Sequence, residues 1–362
     1  MDFSFTEEQQ LLEDTVRRFA AKDYAFEKRR AILASAEGWS RAAWQQLADL
    51  GLMALNVPEE QGGLNGGPVD TMLVMNALGP GLLLEPYLAS AVTATALLRE
   101  CPAQAGLLEG MAAGERIAVI AHAEPHGDAT SCRAAGTDFL LDGRKCVVAH
   151  AAAADDLIVS ARLEGETALF LVPREAAGLT LDSYPTLDGT RAAEVHLTGV
   201  RLPAAARLEA SREALDRALD IGLAALCAEA VGIMKAAIDA TVDYLRTRRQ
   251  FGQPIGRFQA LQHRAADMLM HYEQAKSMSY LAAMRCTAQD ARERRRVLAA
   301  AKVTVGRAAR FIGQQAVQLH GGMGMTDELI VSHWFKRLTA IELLHGDSDT
   351  HLQHFIETSA YA

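Results

Sequence analysis

The sequence predicts an α+β fold in three parts: an N-terminal helical domain (residues 1–115), a middle β-barrel or sandwich domain (116–204) and a C-terminal four-helix bundle (205–362). Three observations carry this prediction. Apolar residues recur at three- and four-residue spacing from Phe5 to about Arg99, the mark of amphipathic helices. Near residue 116 the period changes to short apolar runs separated by turn signals. After Pro203 the helical period returns and holds to the C-terminus.

Within the first part, Leu11, Leu12, Val16 and Phe19 recur at three- and four-residue spacing, and Thr6 with Gln9 three residues later has the form of a capping box. The segment from Gly51 to Gly63 interrupts the pattern, because Pro58 and the pair Gly62-Gly63 mark a structured loop. In the middle part, Ile117-Ala118-Val119-Ile120, Phe139-Leu140-Leu141, Leu157-Ile158-Val159 and Ala168-Leu169-Phe170-Leu171-Val172 read as strands. Asp142-Gly143 and Asp188-Gly189 read as the turns between them. In the last part, amphipathic stretches from Ala214 to Arg249, Gln259 to Gln289 and Arg292 to Leu319 are joined by short connections. Such helices form antiparallel bundles, and their broad apolar faces often associate with copies or a partner.

Composition narrows the function. Of 362 residues half are apolar, enough for a large core, and a net charge of -9 spread along the chain offers nothing to nucleic acid or anionic lipid. Soluble small-molecule chemistry is favoured. The N-terminus, Met1-Asp2-Phe3-Ser4-Phe5-Thr6-Glu7-Glu8, lacks the layout of a signal peptide, and the longest apolar runs contain charges or glycine well before 18 residues, so a cytoplasmic protein without membrane insertion is expected. Five cysteines, Cys101, Cys132, Cys146, Cys227 and Cys286, lie far apart with no Cys-x-x-Cys pair. They read as reduced core thiols, with neither disulfides nor a metal site.

Two segments carry candidate ligand chemistry. In Arg248-x-x-Phe251-Gly252, followed by Phe258-Gln259, the planar guanidinium suits phosphate oxygens. The competing reading is a basic helix end in which Arg246, Arg248 and Arg249 complement the helix dipole. In Gln318-x-x-Gly321-Gly322-x-Gly324, paired glycines let the backbone approach a ligand and Gln318 both donates and accepts hydrogen bonds; the competing reading is a glycine helix stop.

With Val57-Pro58-Glu59-x-x-Gly62-Gly63, Glu124-Pro125 and Val200-x-Leu202-Pro203 in the same order, these motifs make the chain resemble the acyl-CoA dehydrogenase family over essentially its whole length. The resemblance implies an acyl-CoA dehydrogenase-like fold, an FAD cofactor, and α,β-dehydrogenation of an acyl-CoA thioester. It assigns Arg248, Phe251, Gln259, Gln318, Gly321 and Gly322 to the FAD held mainly by a neighbouring subunit. It also implies an electron-transfer flavoprotein or similar electron acceptor.

The departures from the family pattern are concentrated at the catalytic face. Ala123 stands where the family has the threonine of Thr-Glu-Pro, Gly127-Asp128 lacks the serine of Gly-Ser-Asp, and Val147-Val148-Ala149-His150 replaces Trp-x-Thr-Asn. His345, before Gly346, stands at the position of the family's catalytic glutamate, and Gly222 at the alternative one on an earlier helix. Imidazole is a competent base near neutral pH, so His345 is the candidate catalytic residue; a hydrogen-bonded structural histidine beside Asp347 and Asp349 is the competing reading. Glu229 is expected to be a polar contact within the bundle, since seven residues from Gly222 is roughly 10 Å along a helix.

Retained motifs for a neighbour's FAD beside a degraded catalytic face are similar to the small subunits of heteromeric bacterial acyl-CoA dehydrogenases of pimeloyl-CoA and steroid side-chain type. The leading expectation is a base-deficient subunit of an α2β2 complex with a homologous larger chain. The alternatives are a self-sufficient homo-oligomer using His345, a non-catalytic acyl-CoA-binding scaffold, and a flavin monooxygenase or nitroalkane oxidase on the same fold.

Overall fold

The computed structural model describes residues 4–359, so Met1, Asp2 and Phe3 of the acidic N-terminus lie outside the described residues. Helices α1 (Glu7–Arg18), α2 (Phe26–Leu33), α3 (Arg41–Asp49), α4 (Pro68–Leu78), α5 (Thr95–Leu98) and α6 (Ala105–Ala112) precede the strands. The strands are β1 (Ala118–Ala121), β2 (Ser131–Ala135), β3 (Asp138–Ala149), β4 (Asp156–Leu163), β5 (Glu166–Pro173), β6 (Leu179–Pro185) and β7 (Arg191–Pro203). Then come α7 (Arg212–Thr247), the short hairpin of β8 (Arg249–Gln250) and β9 (Gln253–Pro254), α8 (Gln259–Arg285), α9 (Ala291–His320), α10 (Ile330–Leu343) and α11 (Ser348–Ser359). Backbone contacts group these into two units, one of Met1–Arg30, Pro68–Leu83 and Leu223–Ala362, the other of Ala31–Gly67 and Leu84–Gly222. Residues 115 and 204 mark changes of secondary structure inside the second unit.

In the first unit the capping box closes α1: Thr6 Oγ1 accepts the Gln9 N–H at 3.2 Å and Gln9 Oε1 accepts the Thr6 N–H at 3.1 Å. Gln9 Nε2 then donates to Asp70 at 2.9 Å, which ties α1 to α4. The bundle is organised around α9, against which α8, α10 and α11 all pack. Its buried face is built largely from Ala299, Ala301, Ala308, Ala309 and Ala316 with Leu298, Val305 and Ile312. Small side chains let neighbouring helices approach closely while the larger ones fill the seams. Asp290 caps α9, accepting N–H groups from Arg292 and Glu293 at 2.9 and 3.3 Å. Helix α7 is long and apolar enough to cross a membrane, yet 83% of its most apolar window is buried inside the protein, as in a core helix.

In the second unit the strands form one mixed sheet in the order β1-β4-β2-β3-β7-β6, with β5 also on β4. Strand β5 pairs along the whole of β4, while β1 and β2 pair in parallel with successive stretches of it, Asp156 to Val159 and Arg162 to Leu163. A strand has two edges, so β1 and β2 lie end to end on one of them, and the chain between them, 122–130, is an open loop at that junction. Asp142-Gly143 is a correction to the sequence reading. It is no turn: β3 runs through it with a register shift against β7 between Leu141 and Gly143. A Cβ on Gly143, at φ +150°, would lie 2.6 Å from the Thr130 Cα, so glycine is needed for the loop to close over the strand. Asp188-Gly189 does turn the chain from β6 to β7, with Asp188 Oδ1 accepting from the Thr186 and Thr190 hydroxyls.

Candidate functional site

A cleft of about 430 Å³ opens in the first unit where the C-termini of α7 and α9 meet the β8–β9 hairpin and the start of α8. Arg248, Gln318 and Gly321 line it, so the structure brings together three of the residues singled out from sequence. Arg248 follows the last turn of α7, its N–H donating to the Tyr244 carbonyl at 2.8 Å and its carbonyl accepting from Ile255 at 2.9 Å. Between these anchors Phe251 and Gly252 take φ +52° and +77°. Two successive left-handed residues make a tight hairpin turn whose twist suits the flanking strands. That is the physical content of the Arg-x-x-Phe-Gly spacing.

Phe251, Gln259 and Gly322 do not line the cleft. Phe251 is 89% exposed and meets Phe258 edge-on at 5.9 Å, and Gln259 is the exposed first residue of α8. Gly321 takes φ +63° and ψ -142°, conformations open to glycine alone, and its N–H is given to the Gln318 carbonyl. The helix stop and the cleft wall are therefore the same feature.

Tyr244, His320 and Arg264 also line the cleft and escaped the sequence reading. His320 stacks on Tyr244 with ring centroids 4.5 Å apart and its Nδ1–H donates to the Ala316 carbonyl at 2.8 Å. Burial lowers the His320 pKa, which keeps the ring neutral. Tyr244 lies four residues before Arg248, one helical turn away, so that spacing was available as a signal. Arg264 has no such motif. The set as a whole fits a dinucleotide such as FAD: guanidinia for phosphates, an amide for hydroxyls, and an aromatic and aliphatic wall.

In the second unit the loop after β1 carries Glu124. Its Oε1 accepts from Lys145 Nζ at 2.5 Å and from the Thr130 N–H at 2.8 Å, and the fully buried Lys145 donates also to Ser160 at 3.1 Å. Burial alone would raise the Glu124 pKa, but the Lys145 ammonium and the Thr130 N–H outweigh it and the net shift is downward. Burial, then the Lys145 charge, pushes His122 down to about 4, so it is neutral at pH 7. Exposed Ala123 contributes its carbonyl to the Cys146 N–H at 2.9 Å and no hydroxyl. Val147 is 54% exposed at φ +50°, a rare conformation for a β-branched residue, at a second register shift of β3. All five cysteines are free, Cys146 being the one not buried.

At neither customary base position is there a carboxylate. His345 and Gly346 form the turn between α10 and α11 with φ +58° and +93°. Buried Lys302 donates to the Glu342 and Gly346 carbonyls at 2.8 and 2.6 Å, and His351 Nε2 donates to the His345 carbonyl at 2.8 Å. The His345 residue itself is exposed. Gly222 sits against Thr93, whose Oγ1 would lie 2.6 Å from an added Cβ. Glu229 is 7% exposed and grips Arg337 through two bonds of 2.6 and 2.7 Å, the bundle contact expected of it.

Comparison with known proteins identifies the family and the fold. Residues 6–115 match the family description "Acyl-CoA dehydrogenase, N-terminal domain", and residues 212–359 match "Acyl-CoA dehydrogenase, C-terminal domain". Among curated relatives, the Bacillus subtilis protein named probable acyl-CoA dehydrogenase YngJ is 29% identical, with 96% of this chain and 97% of that protein covered. Acyl-CoA dehydrogenase IpdE2 of Mycobacterium tuberculosis is also 29% identical, with 91% of each covered. A chain of the ChsE4-ChsE5 complex from Mycobacterium tuberculosis superposes with a TM-score of 0.94 at 26% identity, with 100% of both chains covered. The chain is a member of the acyl-CoA dehydrogenase family of FAD-dependent oxidoreductases.

Proposed function

We propose that this chain is the base-deficient subunit of a cytoplasmic acyl-CoA dehydrogenase that works as an α2β2 complex with a larger homologous chain, passing electrons to an electron-transfer flavoprotein or similar acceptor. The observation that carries the reading is the absence of a carboxylate at both base positions, with Gly222 packed against the Thr93 side chain that a glutamate there would have to displace. The likeness to a chain of the ChsE4-ChsE5 complex supports a heteromeric assembly. In this reading a bound FAD would supply the hydride acceptor for α,β-dehydrogenation. The chain's own residues bind and orient: Arg248 neutralises phosphate charge, Gln318 hydrogen-bonds beside it, and the Tyr244–His320 stack walls the cleft. Fatty acid, other lipid or steroid catabolism is the corresponding substrate class.

The test is expression of the chain alone and with a homologue that carries the glutamate. Alone it should be inactive on acyl-CoA; together they should be yellow and active, with about one FAD per two chains. A yellow homotetramer that dehydrogenates acyl-CoA by itself, and loses turnover but not FAD on His345→Ala, would instead establish a self-sufficient enzyme. A complex that is colourless with its partner would establish a scaffold.

A further inference from the structure

Resting on that FAD reading, we propose that Arg264 is a second guanidinium for the dinucleotide's diphosphate, so that this chain supplies a two-arginine clamp of Arg248 and Arg264. Both arginines line the same cleft, and no acidic side chain lines it with them. This stands against the character of the chain, which carries 45 acidic and 36 basic residues. Several surface arginines find carboxylates, as Arg17 does in Glu13, Arg212 in Asp216 and Arg217 in Glu100, while others such as Arg99 and Arg162 bond the neutral oxygens of Asn65 and Gly165. Arg248 has no side-chain partner among the described residues, and Arg264 has the neutral Gln315, whose Oε1 accepts its Nη1–H at 2.9 Å.

Gln315 precedes Gln318 by three residues on α9, one turn along the same face, so the helix that supplies one cleft residue also orients another. One bond from a guanidinium to an amide uses a single donor of five and leaves the rest of the fork for phosphate oxygens. Two like charges in one concavity repel, and that repulsion is relieved when a dianion sits between them. A diphosphate is the group that offers each guanidinium its own phosphate. Coenzyme A also contains one, so the test separates the two ligands.

The experiment uses the purified full-length chain in its complex, stripped of flavin, with FAD and coenzyme A titrated separately by fluorescence. Arg264→Gln should weaken FAD binding roughly ten- to hundredfold, the loss expected for a charge-assisted contact, and leave coenzyme A binding unchanged. Arg264→Lys should recover part of the loss, because it keeps the charge but not the fork. Gln315→Ala should weaken FAD binding by less than Arg264→Gln. The FAD-free Arg264→Gln complex should melt no lower than wild type, since a like-charge repulsion has been removed. If FAD affinity is unchanged in Arg264→Gln but falls in Arg248→Gln, the clamp is refuted while the FAD reading survives. A loss confined to coenzyme A would also overturn it, and a wild-type complex that takes up no FAD would sink both.

Discussion

Gly222 and Glu229 lie two turns apart on α7 and show why a carboxylate cannot simply be restored to that helix. A glutamate at 222 must displace Thr93, whose hydroxyl already donates to the Leu88 carbonyl at 2.9 Å, so Gly222→Glu is expected to destabilise by about 1–3 kcal/mol without conferring turnover. Thermal melting of Gly222→Glu beside Gly222→Glu with Thr93→Ala checks the cause: the second change should recover part of the loss. The existing carboxylate is no substitute. Glu229 is committed to Arg337 with both groups mostly buried, and Glu229→Gln strips a buried guanidinium of its counter-charge. Loss of one partner of such a pair costs on the order of 3–5 kcal/mol, readable as a lower melting temperature. An unchanged melting temperature would mean that other contacts of Arg337 suffice.

At the scale of elements, the long helices were legible because their period is local, and the ends of α7, α8 and α9 fall within a few residues of those read from sequence. The turn at Asp142-Gly143 was misread for an equally physical reason. Asp-Gly is the dipeptide of tight hairpins, but whether a glycine turns a strand or admits a neighbour across it depends on Thr130, which is remote in the local pattern. Gly143→Ala therefore meets backbone, not a movable side-chain tip, and is expected to lower the melting temperature more than Gly136→Ala, whose added Cβ has nothing within 4 Å. Gly136 has the left-handed φ of +69° that alanine adopts at modest cost, whereas +150° at Gly143 is open essentially to glycine alone, so the backbone penalty adds to the clash at Gly143. The candidate site divides in the same way. Arg248, Gln318 and Gly321 were readable because each sits in a spaced motif, whereas Arg264 enters the cleft only because α8 passes beside α9.

Over the whole molecule, proton binding is governed by buried histidines. Burial is the leading cause of a lowered pKa at His122, His320, His333 and His351, reinforced at His122 by Lys145 and at His333 by Arg29, whose Nη1 lies 3.3 Å from the ring's Nδ1. Each of these groups is neutral in the folded state at a pH where the unfolded chain, with an ordinary histidine pKa of about 6.5, has begun to take up protons. The sign follows: above about pH 6.5 neither state binds the proton and stability is flat, while below it the unfolded state gains protons first and stability falls. For His122 the fall continues until its folded pKa of about 4. Asp156, raised chiefly by burial, works the other way, since the folded state takes its proton first, while lowered Glu124 deepens the loss at the acid end. Five groups against one give a net loss, the four histidines acting first as the pH falls. The melting temperature should therefore hold from pH 8 to roughly 6.5 and drop steadily toward pH 4.5. His333→Asn would shallow the slope by keeping an acceptor for Arg29 that does not titrate. A melting temperature independent of pH across that interval would show that these histidines titrate alike in the folded and unfolded chain.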